Sequence, residues 1–201
     1  MGEATLELVA FMPFRSDKNL GRAYNDCMKL LGPDDWAIFF DHDCMPSTSQ
    51  WHNQFAEAIA FMPHAGAFVA MTNRIASPWQ RIGDKRSNDI AAHRAFGAER
   101  LQVRTLLDIS ETKGFGGVMF ALSKAAWEEA GGFADGMFCV DHSIFFRLRA
   151  KGRSVFLIEG LYVYHFRGSS DANPPLVGPK VANCPCRGVE KMPTVRVSLP
   201  C

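Results

Sequence analysis

The sequence predicts an α/β protein, a single domain with a mostly parallel twisted sheet flanked by helices, and three observations carry that reading. Trp36-Ala37-Ile38-Phe39-Phe40 is an unbroken apolar run of strand formers, the pattern of a strand covered on both faces. Leu6 to Phe14 and Leu20 to Leu31, ahead of it, read as a strand and a helix, so the chain opens as a β-α-β unit whose two strands should lie parallel through a right-handed crossover. The length, 201 residues, suits one well-packed core and is short for two ordinary domains.

In chain order, Leu6 to Phe14 alternates and then turns continuously apolar, which fits a first strand entering the interior. The polar stretch Arg15-Ser16-Asp17-Lys18-Asn19 ends it. Leu20, Ala23, Cys27, Leu30 and Leu31 then recur at helical spacing, and Gly32-Pro33-Asp34 stops that helix. After the Trp36–Phe40 strand, Pro46 is expected to close the segment. Ser47 with Gln50 three residues on is a capping-box pattern for a helix to about Met62, with Trp51, Phe55, Ala58, Ile59 and Met62 on one face. Ala67 to Thr72 reads as a third strand. Asn73 to Asn88 has no period and reads as a long loop, a kind of segment that is usually functional or mobile. Ile90 to Leu107 has helical patches that the pattern alone does not divide. Gly116 to Leu122 predicts a strand, Ser123 the cap of a helix Lys124 to Ala130, and Gly131-Gly132 its end. Asp141 to Ala150 reads as a further helix, and Ser154 to Phe166 as a last strand interrupted at Glu159-Gly160. Residues 1–168 are thus expected to form the folded domain, and residues 169–201 a Pro-, Gly- and Cys-rich tail wrapped on the surface or partly disordered.

Lys plus Arg number 22 against 21 for Asp plus Glu, so the overall field gives no reason to expect a nucleic-acid partner or an anionic membrane. Met1 to Val9 carries Glu3 and Glu7 and lacks a secretory pattern, and no stretch approaches the ~18 apolar residues of a membrane span. The six cysteines are scattered and read as reduced thiols of a cytoplasmic protein; Cys184-Pro185-Cys186 lacks the second pair that a structural zinc site would have.

The chemistry centres on Asp41-His42-Asp43. In an open α/β sheet ligands bind beyond the carboxyl ends of the strands, which puts both carboxylates at the mouth of a cleft. They repel each other there, and a hard divalent cation carrying phosphates is the natural third party; the bland alternative is that they only open a turn before Ser47.

Pro13-Phe14-Arg15 after the first strand, the Asp-x-Asp at a strand end, Phe115-Gly116-Gly117-Val118 leading to Ala121-Leu122-Ser123-Lys124, Gly131-Gly132-Phe133, and Asp141 ahead of Ile144-Phe145-Phe146-Arg147-Leu148 come in a fixed order. Together they resemble the motifs of nucleotide-sugar glycosyltransferases of the GT-A (Rossmann-like) fold, inverting family 2-like or β-1,4-galactosyltransferase-like, over about Leu6 to Gly168. The resemblance implies that Asp43 binds Mn²⁺ or Mg²⁺ directly, that Asp41 contacts the ribose or the metal's water shell, and that His165 is a third ligand, whose imidazole suits Mn²⁺. It implies donor contacts from Pro13, Phe14, Arg15, Asp41, Asp43, Gly116 and Gly117, and a catalytic base in Asp141. An Asp just before a helical pattern is equally a good N-cap, and an ordinary rim histidine or glycine turn would look the same at His165 and Gly116-Gly117. Lys113, Arg15 and Arg167 are candidates for the donor diphosphate, and Trp79 either stacks on an acceptor sugar or packs in the core.

Two departures from the family pattern stand out. Val140 and Ser143 replace the acidic residues that normally flank the base, and only one helix separates the first strand from the Asp-x-Asp, which makes this a pared-down version of the fold. The expected activity is metal-dependent inverting transfer from a nucleoside-diphosphate sugar, a UDP-sugar first, to a saccharide or other hydroxyl acceptor. The alternatives are a nucleotidyltransferase or sugar-nucleotide hydrolase, against which Phe14 to Leu20 lacks a glycine-rich phosphate loop, or an inactive carbohydrate-binding relative.

Overall fold

The structure, a computed structural model, describes residues 6–83, 87–166 and 193–200. Among these the chain runs β1 (Leu8–Phe11), α1 (Leu20–Met28), β2 (Trp36–Phe40), β3 (Cys44–Pro46), α2 (Trp51–Phe61), β4 (Ala67–Thr72), α3 (Ile90–Arg100), β5 (Thr105–Asp108), β6 (Met119–Ser123), α4 (Lys124–Ala130), α5 (Val140–Ala150), β7 (Val155–His165) and β8 (Arg196–Ser198). The strands form one eight-stranded sheet in the order β1-β2-β6-β4-β7-β5-β8, with β3 paired to β7 off that path.

Each central strand is covered on both faces because its successive side chains point to opposite sides. Ala37 and Phe39 of β2, with Val69, Phe120 and Leu157, pack against Tyr24 and Met28 of α1, Ala126 of α4 and Ile144, Phe145 and Leu148 of α5. Trp36 and Ile38, with Phe68, Ala121 and Phe156, pack against Phe55, Ala58 and Ile59 of α2. Burial of each such side chain stabilises by about 1.5–3 kcal/mol, so these two layers hold the sheet rigid under the site.

The sheet is mixed, not mostly parallel. β1–β2 and β4–β7 are parallel, whereas β2–β6, β4–β6, β3–β7, β5–β7 and β5–β8 are antiparallel. Apolar periodicity identifies a strand but carries no direction; direction is set by where the preceding loop delivers the chain. The loop before β6 ends beside the carboxyl end of β2, where the Asp41 N–H donates to the Val118 carbonyl (2.9 Å), so β6 must run back along β2.

Three further expectations change. Pro46 does not simply end the β2 segment: Cys44 to Pro46 are drawn into the sheet opposite His165 to Val163. The Ser47–Gln50 capping box therefore does not form; α2 starts after Gln50 without a side-chain cap, while the Ser47 N–H donates to the Tyr162 carbonyl (3.3 Å). Ile90 to Leu107 divides into α3, capped by Asp89, and β5. By contrast, Ser123 Oγ accepts from the Ala126 N–H (3.3 Å) and Gly131, at φ 75°, ends α4 as the sequence predicts. Of the tail, Arg196–Ser198 joins the sheet as β8; Arg167, Gly168, Cys184 and Cys186 fall in 167–192, outside the described residues, as does Cys201. Among the described residues no helix is long and apolar enough to cross a membrane, and Cys27, Cys44 and Cys139 are free thiols.

Candidate functional site

The carboxyl end of β2 and the end of β7 meet through β3. The pairing of Cys44 with His165 sets Asp43 beside the histidine, and the Phe166 N–H donates to the Asp43 carbonyl (2.8 Å). Ligand atoms of Asp41, Asp43 and His165 consequently lie within 4.8 Å of one another, although the histidine is more than 120 residues further along the chain.

The histidine is held in one orientation. Its Nδ1–H donates to the Arg74 carbonyl (2.6 Å), its backbone N–H donates to Asn73 Oδ1 (2.9 Å), and its own carbonyl accepts from Arg74 Nη1 (3.0 Å). A neutral ring so placed turns its Nε2 lone pair toward Asp43 Oδ1, 3.3 Å away. A proton or a cation must reconcile that lone pair with the carboxylate. Two neighbouring ligands of a small divalent ion with ~2.1 Å bonds lie about 3 Å apart, so the observed spacing accommodates one.

The electrostatics point the same way. Burial, and next the Asp43 charge, push the Asp41 carboxyl up to about 7. The hydrogen bond with His165 holds Asp43 below the usual carboxylate range. One carboxyl short of positive charge and one already stabilised by an imidazole make a site that gains from an added cation. Burial pushes the neighbouring Cys44 thiol up to about 12, which leaves it protonated and a poor ligand near neutrality.

Asp141 lies in the first turn of α5 and is not its N-cap; Cys139, at φ 58°, takes that position. Its Oδ1 accepts from the His142 N–H (2.8 Å) and stands 3.1 Å from His142 Nδ1, while Oδ2 accepts from the Gly117 N–H (3.0 Å). A carboxylate oxygen has two lone pairs, so Oδ2 keeps one for a further donor. Burial opposes the charged form of His142, but the hydrogen bond and charge of Asp141 outweigh it and raise its pKa. Ser143, where the family pattern has an acid, donates from Oγ to the Val140 carbonyl (2.7 Å) and accepts from the Ala134 N–H (3.3 Å).

Gly116 is fixed by Gln80, a residue the sequence reading missed. The fully buried Gln80 accepts from the Gly116 N–H (2.9 Å) and donates to the carbonyls of Gly116 (2.9 Å) and Ala70 (3.1 Å). A Cβ on Gly116 would come within 2.2 Å of Ile75 Cδ1, so in this structure the space beside the glycine belongs to the 73–83 loop. That loop, Lys113, Gly114, Gly116, Asp141 and His142 wall a cleft of about 280 Å³, lined from the loop by residues 75–79. Trp79 is 7% exposed, packs in the core and lines the cleft, and among the described residues its enclosed indole N–H has no hydrogen-bond partner.

The N-terminal candidates sit differently. Phe14 is 84% exposed, and the Arg15 guanidinium is tied to Asp17 (2.9 Å) and Asp26 (3.0 Å) rather than turned to the acidic pair of the site. Asn73, Arg74, Gln80 and His142 were legible only in part: the first two follow directly on the end of a strand, where the same strand-end rule that marked Asp41 applies.

No family model matches the chain, and no curated protein matches it in sequence. Among solved structures it is similar to a crystal structure of GalNAc-T7 with UDP, GalNAc and Mn²⁺, at TM-score 0.51 and 14% identity, over 76% of this chain and 31% of that one. The chain spans about a third of that protein's length, and the likeness is one of architecture: a mixed α/β sheet flanked by helices, compatible with a GT-A-like domain.

Proposed function

We propose that this protein is a metal-dependent, inverting glycosyltransferase that moves a sugar from a nucleoside-diphosphate sugar, a UDP-sugar first, to a hydroxyl acceptor. The observation that carries the reading is the convergence of Asp41, Asp43 and His165 at one end of the sheet. UDP and Mn²⁺ in the structural neighbour support the choice of donor and ion. Mn²⁺ or Mg²⁺ held by Asp43 and His165, with Asp41 as ligand or second-layer partner, would neutralise the charge of the departing diphosphate, and the imidazole favours Mn²⁺.

The chain's own groups do the rest. The Arg74 carbonyl keeps His165 in the tautomer that leaves Nε2 free. Asp141 Oδ2 takes the acceptor's hydroxyl proton as that oxygen bonds to the anomeric carbon and the bond from that carbon to the diphosphate breaks. The N-terminal end of α5 favours the ionised carboxylate that a base requires, and the Gly117 and His142 hydrogen bonds aim it. Attack from the face opposite the leaving group inverts the anomeric centre.

A panel of nucleotide sugars with Mn²⁺, scored for nucleoside diphosphate release and for thermal stabilisation, tests the proposal. Asp141→Asn should retain donor and Mn²⁺ binding and lower transfer by about 10²–10⁴-fold, the usual worth of a general base. Intact turnover in that variant removes Asp141 from the mechanism. Release of pyrophosphate from a nucleoside triphosphate and a sugar phosphate would instead identify a nucleotidyltransferase.

A further inference from the structure

The parallel ladder between β4 and β7 ends at Thr72 opposite Val163, short of the proposed metal ligand His165. An imidazole turns about two single bonds, so the 3.3 Å approach of its Nε2 to Asp43 persists only where both the strand end and the ring are held. Beyond the ladder that hold comes from Asn73 and Arg74. Asn73 Oδ1 accepts from the His165 N–H, and the Arg74 carbonyl accepts from the ring.

Arg74 meets the same histidine a second time. Its Nη1 donates to the His165 carbonyl (3.0 Å) and to the Tyr164 hydroxyl (3.2 Å), while Nη2 donates to the Ser87 carbonyl (2.8 Å) and to Asn88 Oδ1 (2.6 Å). Ser87 and Asn88 lead into α3, and that anchor is itself fixed. The buried His93 of α3 donates from Nε2 to the Ser87 carbonyl (3.0 Å) and stacks on the Tyr164 ring with centroids 4.2 Å apart. The Tyr164 hydroxyl also donates to Asn88 Oδ1 (3.1 Å). The guanidinium, a planar fork of five donors, thus bridges the approach to α3 and the last residue of β7 in one geometry. Through space alone its positive charge repels a divalent ion, so its use beside a cation site is explained by what it holds.

We propose that Arg74 is a positioning residue of the metal site: its guanidinium clamps the His165 carbonyl to the residues that open α3, and its own carbonyl, held by the same clamp, keeps the imidazole turned to Asp43. The inference rests on the metal-site part of the proposed transferase, and not on Asp141 or on the identity of the sugar. Its expected effect is opposite in sign to that of charge alone, because removing a positive group should here weaken the binding of a cation.

The full chain, without nucleotide, is titrated with Mn²⁺ by calorimetry and by loss of the free ion's paramagnetic resonance signal. Thermal melts of each variant establish that it is folded. Arg74→Met keeps the length of the side chain and removes its donors, and should bind Mn²⁺ about ten- to a hundredfold more weakly, the usual worth of a partner that orients a metal ligand. Arg74→Lys keeps the charge, but one ammonium cannot span the His165 and Ser87 carbonyls, so it should lose most of the same affinity; it carries the test if Arg74→Met does not fold. In a His165→Ala background, where Asp41 and Asp43 keep a residual site, Arg74→Met should weaken Mn²⁺ no further, because a residue acting through the histidine has nothing left to act on. At equal Mn²⁺ occupancy, the imidazole nitrogen coupling to the ion should be smaller in both Arg74 variants than in the parent. Equal or tighter Mn²⁺ binding by the Arg74 variants overturns the proposal, tighter binding by Arg74→Met alone being the result expected of charge. So does a loss that persists undiminished in the His165→Ala background. A parent chain that binds no Mn²⁺ overturns the reading of the metal site and this inference together. A parent that binds Mn²⁺ but releases no nucleoside diphosphate from any nucleotide sugar counts against the transferase alone, and the Arg74 variants still decide.

Discussion

Asp41, held protonated to about pH 7 by burial and by its neighbour Asp43, makes the metal-free protein sensitive to pH in a direction that can be worked out. An unfolded chain releases this proton near 3.8, the folded one only near 7, so between those values the native state binds the extra proton. The stability it contributes is complete below the lower value and is lost as pH rises through the upper one. His142, raised by Asp141, contributes with the same sign, so the diagnostic is the difference between two proteins and not the slope of one. Urea midpoints of the metal-free protein should fall from about pH 5 to about pH 8, and Asp41→Asn should flatten part of that fall. Saturating Mn²⁺ should offset the decline in the parent protein, because a metal binds the ionised carboxylate, and should do little in the variant. An Asp41→Asn variant whose midpoints fall as steeply as those of the parent would show that Asp41 titrates as an ordinary surface carboxyl.

The 73–83 loop is anchored to the sheet by a residue that no sequence pattern announces. Gln80 lies under it, buried completely, with both amide atoms spent on the backbone of Ala70 and Gly116. A glutamine amid Ser, Pro, Trp and Arg looks like solvated loop, and only the fold reveals that its amide links Ala70 to Gly116 just past Val69, where the β4–β6 ladder stops. One helix cap was readable, since Ser123 acts within three residues of itself, whereas the Asn19 cap of α1 went unread among polar loop residues and the Ser47 cap failed because β3 claimed its neighbours for a strand far along the chain. The interruption at Glu159-Gly160 was also visible, and it proves to be a bulge: Ala70 pairs with Ile158 and Met71 with Tyr162, leaving the residues between without a β4 partner. Gln80→Leu should leave three buried backbone groups unsatisfied and destabilise by about 3 kcal/mol or more, at ~1–3 kcal/mol each, as measured by urea unfolding. Because Gly116, a candidate donor contact, depends on the same amide, the variant should also bind the nucleotide-sugar donor more weakly, while Mn²⁺ binding through β2 and β7 persists.

Across the whole molecule, what sequence could convey was the identity of strands and the carboxylates at a strand end; what it could not convey was strand direction and neighbour order. Trp36–Phe40 and Ala67–Thr72 were legible as buried strands because continuous apolar runs of that length have few other uses. That β6 runs antiparallel between them, and that a piece of the tail, Arg196–Ser198, becomes an edge strand, are decided by long-range pairing. The tail strand sits at one edge of the sheet, on β5, with Leu199 8% exposed and its N–H donated to the Arg104 carbonyl (2.7 Å). The metal candidates lie instead where β2, β3 and the end of β7 meet. Deleting residues 193–201 should therefore separate stability from site chemistry. It removes the β5–β8 ladder and the cover over Leu106, exposes a strand edge, and should lower unfolding free energy by about 1–3 kcal/mol. The increment supplied by Mn²⁺, about 2.7 kcal/mol at a hundredfold excess over its Kd, should be unchanged, because a ligand stabilises by its affinity for the native site whatever the baseline. If the increment shrank together with the baseline, the edge strand would be bracing His165 through β5 and β7, and the site could not be treated as independent of the far edge of the sheet.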